Sequence, residues 1–321
     1  MMVMSQQEAH ISVMLDEVLD GLHIKEGGIY VDGTFGAGGY SRGVLERGGH
    51  VVAIDRDPHV KPFAEALKAE YNDAFTFIEG CFSQIVSLCH GHDITQVDGF
   101  MLDLGVSSMQ LDTAERGFSF MKDGDLSMSM GGHSRDAKTF INQGKEEEIA
   151  NIIYQYGDER HSRKIARAIV AKRHEEPITT TKMLSDIVCS VVKRVNDGIH
   201  PATKTFQAIR IWVNDELGEL EKGLLAAQQL LKPNGRLAIV SFHSLEDRIV
   251  KEFLRYASGQ RAQGSRYLPE QHNPDPITFR MITRKPLVPS QEELRRNIRS
   301  RSAKLRVAER VNEQIMHVGG M

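Results

Sequence analysis

The chain has 321 residues, 40% apolar and 26% charged, with a net charge of −3. These values describe an ordinary globular protein of two domains, or one domain with a large insertion, and they exclude a globally basic nucleic-acid binder. Three scattered cysteines exclude a disulfide framework or zinc ribbon and point to a reducing cytoplasm; no apolar run approaches the roughly 20 residues of a membrane span, and MMVMSQQEAH lacks the basic region and apolar core of a secretory signal.

The first predicted element is a strand, Ile29-Tyr30-Val31, closed by Asp32 and followed by glycines at 33, 36, 38 and 39 and a helix from Ser41. Strand, glycine-rich turn and helix form the first half of a nucleotide-type cofactor site, where a side chain would hold the ligand off the backbone. The Gly36-x-Gly38-x-x-Ser41 spacing only approximates the dinucleotide fingerprint. Further strands are expected in HVVAIDRDP (50–58), FTFIEGCF (75–82), VDGFMLDLGVSS (97–108) and GRLAIVSFHSLEDR (235–248). In the last, a helix is expected to start at Ser244 as cap, with Asp247 three residues on. Helical segments such as Pro62 to Tyr71 separate the early strands, so the fold class is α/β: a Rossmann-like, mostly parallel sheet. Ligands bind outside the carboxyl ends of such strands, where Asp32, Asp55, Asp103 and His243 fall.

The alternation stops near Asp112. Residues 113–132 read as a long loop, and helices are expected at 145–156, 158–174 and 181–195. A single helix over 204–231, with Phe206, Ile209, Val213, Leu217, Leu220 and Leu224 at helical spacing, returns to the sheet. A polar loop at 258–276, a strand pair around 277–288 and a basic, helix-like tail complete the chain. The expected organisation is a discontinuous sheet domain (1–111 and 201–290), a helical insertion (112–200) and a basic C-terminal tail (291–321).

Asp55, seventeen residues beyond Gly38, suits both hydroxyls of an adenosine ribose, or caps the next turn. Asp103, with the Gly105-Ser107-Ser108 turn behind it, suits an amine, or caps a helix. Phe82 fits an adenine face or the core equally, and His243 is either a substrate contact or structural. His90 and His92 lack the remaining ligands of a metal site, so none is expected. Arg160, Arg163, Lys164 and Arg167 fall within about 100° of one helix face, opposite Ile165 and Ile169. Such a stripe suits phosphates, or a plain solvated face. Arg299, Arg301, Lys304 and Arg306 form a second basic cluster.

Taken together, VDGTFGAGGYS, AIDRDP, LDLGVSS, AERGFSF, HPATKTFQAIRIWVNDEL, SFHSLEDR and RSRSAKLR resemble, in order and from about His10 to Arg306, the bacterial small-subunit rRNA cytosine-N4 methyltransferases, the RsmH/MraW family. The resemblance implies a class I methyltransferase fold with a helical substrate-recognition insertion, and S-adenosylmethionine as cofactor. Gly38, Gly39, Tyr40, Asp55, Phe82, Asp103 and Gln110 would line the cofactor site, and Asp103, Ser107, Ser108 and His243 are the candidates beside the reacting amine. The implied target is a decoding-centre cytidine of 16S rRNA in the small ribosomal subunit, with no membrane partner; a homodimer is compatible with it. This chain departs from the family's usual residues at Ala37, Tyr40, Ser127, Ser129 and Ile298. Two other functions fit parts of the pattern. One is a nicotinamide-dependent oxidoreductase, against which Ser41 in place of a third glycine counts. The other is a non-catalytic RNA-binding assembly factor, against which the retained glycine loop, Asp55 and Asp103 count.

Overall fold

β-Branched and aromatic side chains pack well on a pleated surface, and β1 (Ile29–Asp32) encloses Tyr30 and Val31 completely. The computed structural model describes residues 12–131, 135–193, 200–260 and 276–312. β1 pairs in parallel with β2 (His50–Asp55) on one side and β4 (Val97–Asp103) on the other; β3 (Phe75–Glu79) extends the first side and β5 (Leu231–Ser241) the second. β6 (Phe279–Met281) and β7 (Lys304–Arg310) complete a seven-stranded sheet of order β3-β2-β1-β4-β5-β7-β6, with β7 antiparallel to both neighbours. The strand order turns around at β1, and the crevice outside the carboxyl ends at such a switch point is where α/β sheets hold ligands.

The chain divides into two compact units, 1–105 with 218–321, and 106–217. In the sheet unit, α1 (Leu15–Leu22), α2 (Gly39–Leu45), α3 (Lys61–Tyr71), α4 (Ile85–Gly91), α12 (Ser244–Ala257) and α13 (Gln291–Arg296) are joined by most of α11 (Glu216–Leu230). One core face carries Val31, Val52, Ile54, Phe100, Leu102 and Ile239, covered by Leu220, Leu224 and Leu254 from the helices. Each such side chain contributes about 1.5–3 kcal/mol by leaving water. α1 comes so close to β7 that a Cβ on Gly21 would sit 2.8 Å from Val307 Cγ2.

The helical unit comprises α5 (Ser108–Asp112), α6 (Ala137–Gln143), α7 (Glu146–Gly157), α8 (Ser162–Glu175), α9 (Thr181–Val191) and α10 (Thr203–Asn214). Its core joins Ile149, Ile153, Ile165, Ile169, Leu184, Val188 and Ile209. The glycine- and methionine-rich segment before α6 is part of this core: Leu126, Met128 and Met130 are all buried. Ser127 and Ser129 alternate with them. Ser129 N donates to Ser127 Oγ at 3.4 Å and Gly131 N to Ser129 Oγ at 3.3 Å, so the serines serve the local turns. Asn214 fastens the segment to α10, accepting from Met130 N (2.9 Å) and donating to the carbonyls of Met128 (2.8 Å) and Arg210 (2.9 Å).

Three features differ from the sequence reading. The helix expected over 204–231 is two helices, because Asp215 adopts φ 49, and Arg210 bridges the break with a bidentate pair to Glu216 (both 2.8 Å). α10 therefore falls with the helical unit. The tail after 290 is only briefly helical and then becomes β7. The polar loop expected at 258–276 lies mostly outside the described residues.

Candidate active site

The glycine loop owes its conformation to buried polar groups at the strand ends. Asp32, closing β1, is wholly buried; its Oδ2 accepts from Ser41 Oγ (2.7 Å) and its Oδ1 from Thr34 N (3.1 Å). Asp55, closing β2, accepts from Gly36 N (2.9 Å) and Asp57 N (2.9 Å). Gly36 has φ 53, and an added Cβ would meet only Thr34 O at 3.8 Å, so this glycine faces open space. Gly38 and Gly39 are different. A Cβ on Gly38 would strike Leu67 Cδ1 (2.7 Å) and Phe35 Cε2 (2.8 Å), and one on Gly39 would lie 1.8 Å from Ser12 Oγ. Their missing side chains make room for the protein's own atoms. The N-terminal strap of Ser12, Val13 and Met14 lies here: Tyr40 Oη donates to the Val13 carbonyl, and Met14 N donates to Glu293 Oε1 (2.7 Å).

Asp103 closes β4. Its amide donates to Thr34 Oγ1 at 2.6 Å, and its Oδ1 is buried with no hydrogen-bond partner among the described residues. Burial first, then the charges of Asp32, Glu246 and Glu293, push its carboxyl well above the usual carboxylate range. A buried acceptor in an all-acidic setting is costly unless a donor or cation completes it.

Burial likewise pushes Asp32 up to about 6, with Asp55 adding to the rise and the Ser41 and Thr34 hydrogen bonds opposing it. The side-chain carboxyl carbon of Asp32 is therefore expected to titrate with a midpoint near 6 in the ligand-free protein, read by 13C NMR. A midpoint near 4 would mean that hydrogen bonding outweighs burial. With the folded value raised, this group favours the folded chain fully only below its ordinary value of 3.8, and that contribution is lost as pH rises through about 6.

Comparison with known proteins settles the lineage. The family model described as the MraW methylase family matches residues 7–311. Proteins named ribosomal RNA small subunit methyltransferase H are similar over nearly their whole length. The one from Rhodospirillum centenum is 52% identical over 311 residues, covering 97% of this chain and 94% of its own. That of Rhodospirillum rubrum is 51% identical over 306 residues (94% of each), and that of Methylobacterium nodulans 50% over 316 (97% and 93%). The chain belongs to the MraW methylase family.

Its sheet is the mostly parallel one that the motif resemblance implies, and S-adenosylmethionine is the methyl donor which that resemblance implies. The donor set fits that molecule: Asp55, which accepts from Gly36 N and Asp57 N, retains lone pairs for hydroxyl donors.

The predicted residues fall into several settings. In the sheet unit Gly38, Gly39 and Tyr40 adjoin the strap, and Asp55 and Asp103 end the two strands that flank β1. Phe82, in a 3-10 turn after β3, packs its ring against α11, where a Cβ on Gly223 would lie 3.4 Å from its Cδ2. His243, not Ser244, caps α12: its Nδ1 accepts from Glu246 N (3.4 Å), and its Nε2 lies 3.0 Å from Glu246 Oε1. In the helical unit Ser107 caps α5 reciprocally with Gln110, Ser107 Oγ accepting from Gln110 N (3.3 Å) and Gln110 Oε1 from Ser107 N (3.0 Å); Ser108 follows as the first residue of α5. Thr34 and Glu246 were not singled out by sequence, and Asp32 was placed at the ligand end of its strand without a role. A carboxylate closing a strand, with hydroxyls two and nine residues on, was the available sign for Asp32 and Thr34.

The basic residues divide in the same way. Arg160, Arg163, Lys164 and Arg167 are all exposed, while Ile165, Ala166 and Ile169 behind them are buried. Arg299 and Arg301 are exposed as well. Arg306 is not a phosphate ligand: it is 5% exposed in β7, its Nε donates to Asp247 Oδ1 (2.8 Å), and Lys304 reaches the other oxygen of Asp247 (3.2 Å). Arg306→Met should lower the stability of the sheet unit by about 1.5–3 kcal/mol, the worth of a hydrogen bond to a charged group, because Lys304 still pairs with Asp247. The salt dependence of RNA binding should stay unchanged; a shallower slope with normal stability in urea would return Arg306 to the phosphate contacts.

Proposed function

We propose that the protein transfers a methyl group from S-adenosylmethionine to the N4 amine of a cytidine in small-subunit ribosomal RNA, the decoding-centre cytidine of 16S rRNA that the motif resemblance implies. The observation that carries the reading is Asp103 Oδ1, a buried acceptor without a donor at the strand rim of a methyltransferase sheet. The names of the similar proteins support the RNA, and the motifs support the amine.

Bound S-adenosylmethionine supplies a methyl already activated on a sulfonium, so much of the acceleration comes from holding the amine in line with it. The cytosine amine is a weak nucleophile because its lone pair is spread into the ring. Asp103, accepting an N–H of that amine, favours a pyramidal nitrogen and orients its lone pair. A cationic ligand nearby draws the Asp103 carboxyl back toward its ionised form. Methyl transfer to the amine releases one proton, which passes to water; the products are N4-methylcytidine and S-adenosylhomocysteine. A base-paired edge is inaccessible, so the cytidine must be unstacked to react.

The exposed stripe on and just before α8 supplies phosphate contacts. Replacing Arg163 or Arg167 by Ala should weaken RNA binding evenly across sequences and make the slope of log K against log salt shallower by about 1 each. An unchanged slope would leave the stripe as a solvated face.

The test of the reading is transfer of labelled methyl to small-subunit particles and to naked rRNA, with nucleoside mass spectrometry of the product. N4-methylcytidine at one position supports it. Cofactor binding without transfer to either substrate would favour a non-catalytic assembly factor.

A further inference from the structure

We propose that Thr34 is a positioning residue for methyl transfer, its hydroxyl fixing the Asp103 carboxyl through the Asp103 amide. The inference rests on the reaction proposed above and concerns how its acceptor is held. β1 and β4 pair through Asp32↔Met101, and Gly33 N still donates to Met101 O at 3.0 Å. The next donor on β4 facing β1 is the Asp103 amide. In a regular parallel ladder it would find a β1 carbonyl, but β1 has by then turned into the glycine loop. Thr34 Oγ1 takes that place at 2.6 Å. The other side of β4 remains regular, with Leu104 N donating to Val240 O at 3.0 Å.

The hydroxyl is itself fixed. Thr34 N donates to Asp32 Oδ1, and the opposite oxygen of Asp32 is held by Ser41 Oγ. Phe35 N donates to Ile54 O at 3.2 Å, securing the next residue to β2. Gly33 is compressed against β4, where a Cβ would meet Leu102 Cδ2 at 2.6 Å, so the loop leaves β1 along one path. A β-branched side chain adds a restricted χ1. Two strand ends therefore fix the backbone around Thr34, its hydroxyl holds the third, and the residue it holds carries the Oδ1 without a partner among the described residues.

The test compares wild type, Thr34→Ser, Thr34→Val and Thr34→Ala in the full-length protein. Three quantities are read: the dissociation constant of S-adenosylmethionine by calorimetry, the single-turnover transfer rate at saturating cofactor, and the 13C titration of the Asp103 carboxyl without cofactor. The groups facing Asp103 are Asp32, Glu246, Glu293 and Tyr40, and none of them is altered. Thr34→Val and Thr34→Ala should slow transfer about 10–100-fold, as small misplacements do, with cofactor affinity within about threefold. The Asp103 titration should move in both and stay at the wild-type position in Thr34→Ser, which keeps the acceptor. The two variants guard against one failing to fold. Unchanged rate and titration in the variant that folds would overturn the proposal. So would equal losses in Thr34→Ser, or a rate loss matched by the loss of cofactor affinity. If wild type itself transfers no methyl to RNA, the reaction is what fails, and the Asp103 titration still decides the part played by Thr34.

Discussion

Asp103→Asn is expected to slow methyl transfer by about 10²–10⁴-fold and at the same time to make the ligand-free protein more stable at alkaline pH. The first effect follows from the place of Asp103: its Oδ1 is buried, unpartnered and at the strand rim, and the substitution removes the charge that a cationic ligand restores. The second follows from its surroundings. Burial and the charges of Asp32, Glu246 and Glu293 raise its folded-state pKa, so ionising it works against the fold. The stability it contributes is complete below the ordinary carboxylate range and is lost as pH rises through the raised value. Asparagine never ionises and escapes that loss. Melting temperatures of the variant and wild type should thus converge in acid and separate, variant higher, toward pH 8. Transfer within threefold of wild type would remove Asp103 from the reaction. A variant less stable at pH 8 would mean that the ionised carboxylate has a cationic or donor partner in the ligand-free protein.

The largest stability effect is expected at Asn214. Its side chain makes two buried hydrogen bonds to the Met128–Met130 segment and a part-buried one to Arg210 O. Asn214→Ala strands a buried amide and a buried carbonyl at about 1–3 kcal/mol each and should cost about 3–5 kcal/mol. The protein carries its own probe: the sole tryptophan, Trp212, stacks on Phe140 at 4.1 Å between ring centroids within the helical unit. The urea midpoint of its fluorescence should fall sharply. An unchanged midpoint would show that the methionine segment is held by its apolar side chains alone.

Much of the fold was legible because parallel strands buried on both faces are apolar runs, and here each of three ends in aspartate. The basic stripe of α8 was legible for a similar reason, since local periodicity decides which side faces the core. What was not legible depends on distant partners. KLRVAER reads as a charged tail, yet it is a strand between two others, because Arg306 finds Asp247 59 residues away and can then be buried. Thr34 reads as loop filling until β4, 69 residues on, brings the Asp103 amide to it. The α12 cap was misplaced by one residue because serine is the commoner capping residue, while the reciprocal contacts with Glu246 are made by His243. Gly38 and Gly39 read as room for a ligand, although neighbouring side chains fill that room.

The bond from Met14 N to Glu293 spans 279 residues, and β7, the last described element, is wedged between β5 and β6. The strap's hydrogen bond from Met14 N therefore waits for Glu293, while the one from Tyr40 Oη to the Val13 carbonyl is local. The central sheet is thus joined from segments far apart in the chain, and β5 gains its antiparallel neighbour only once Lys304–Arg310 is in place.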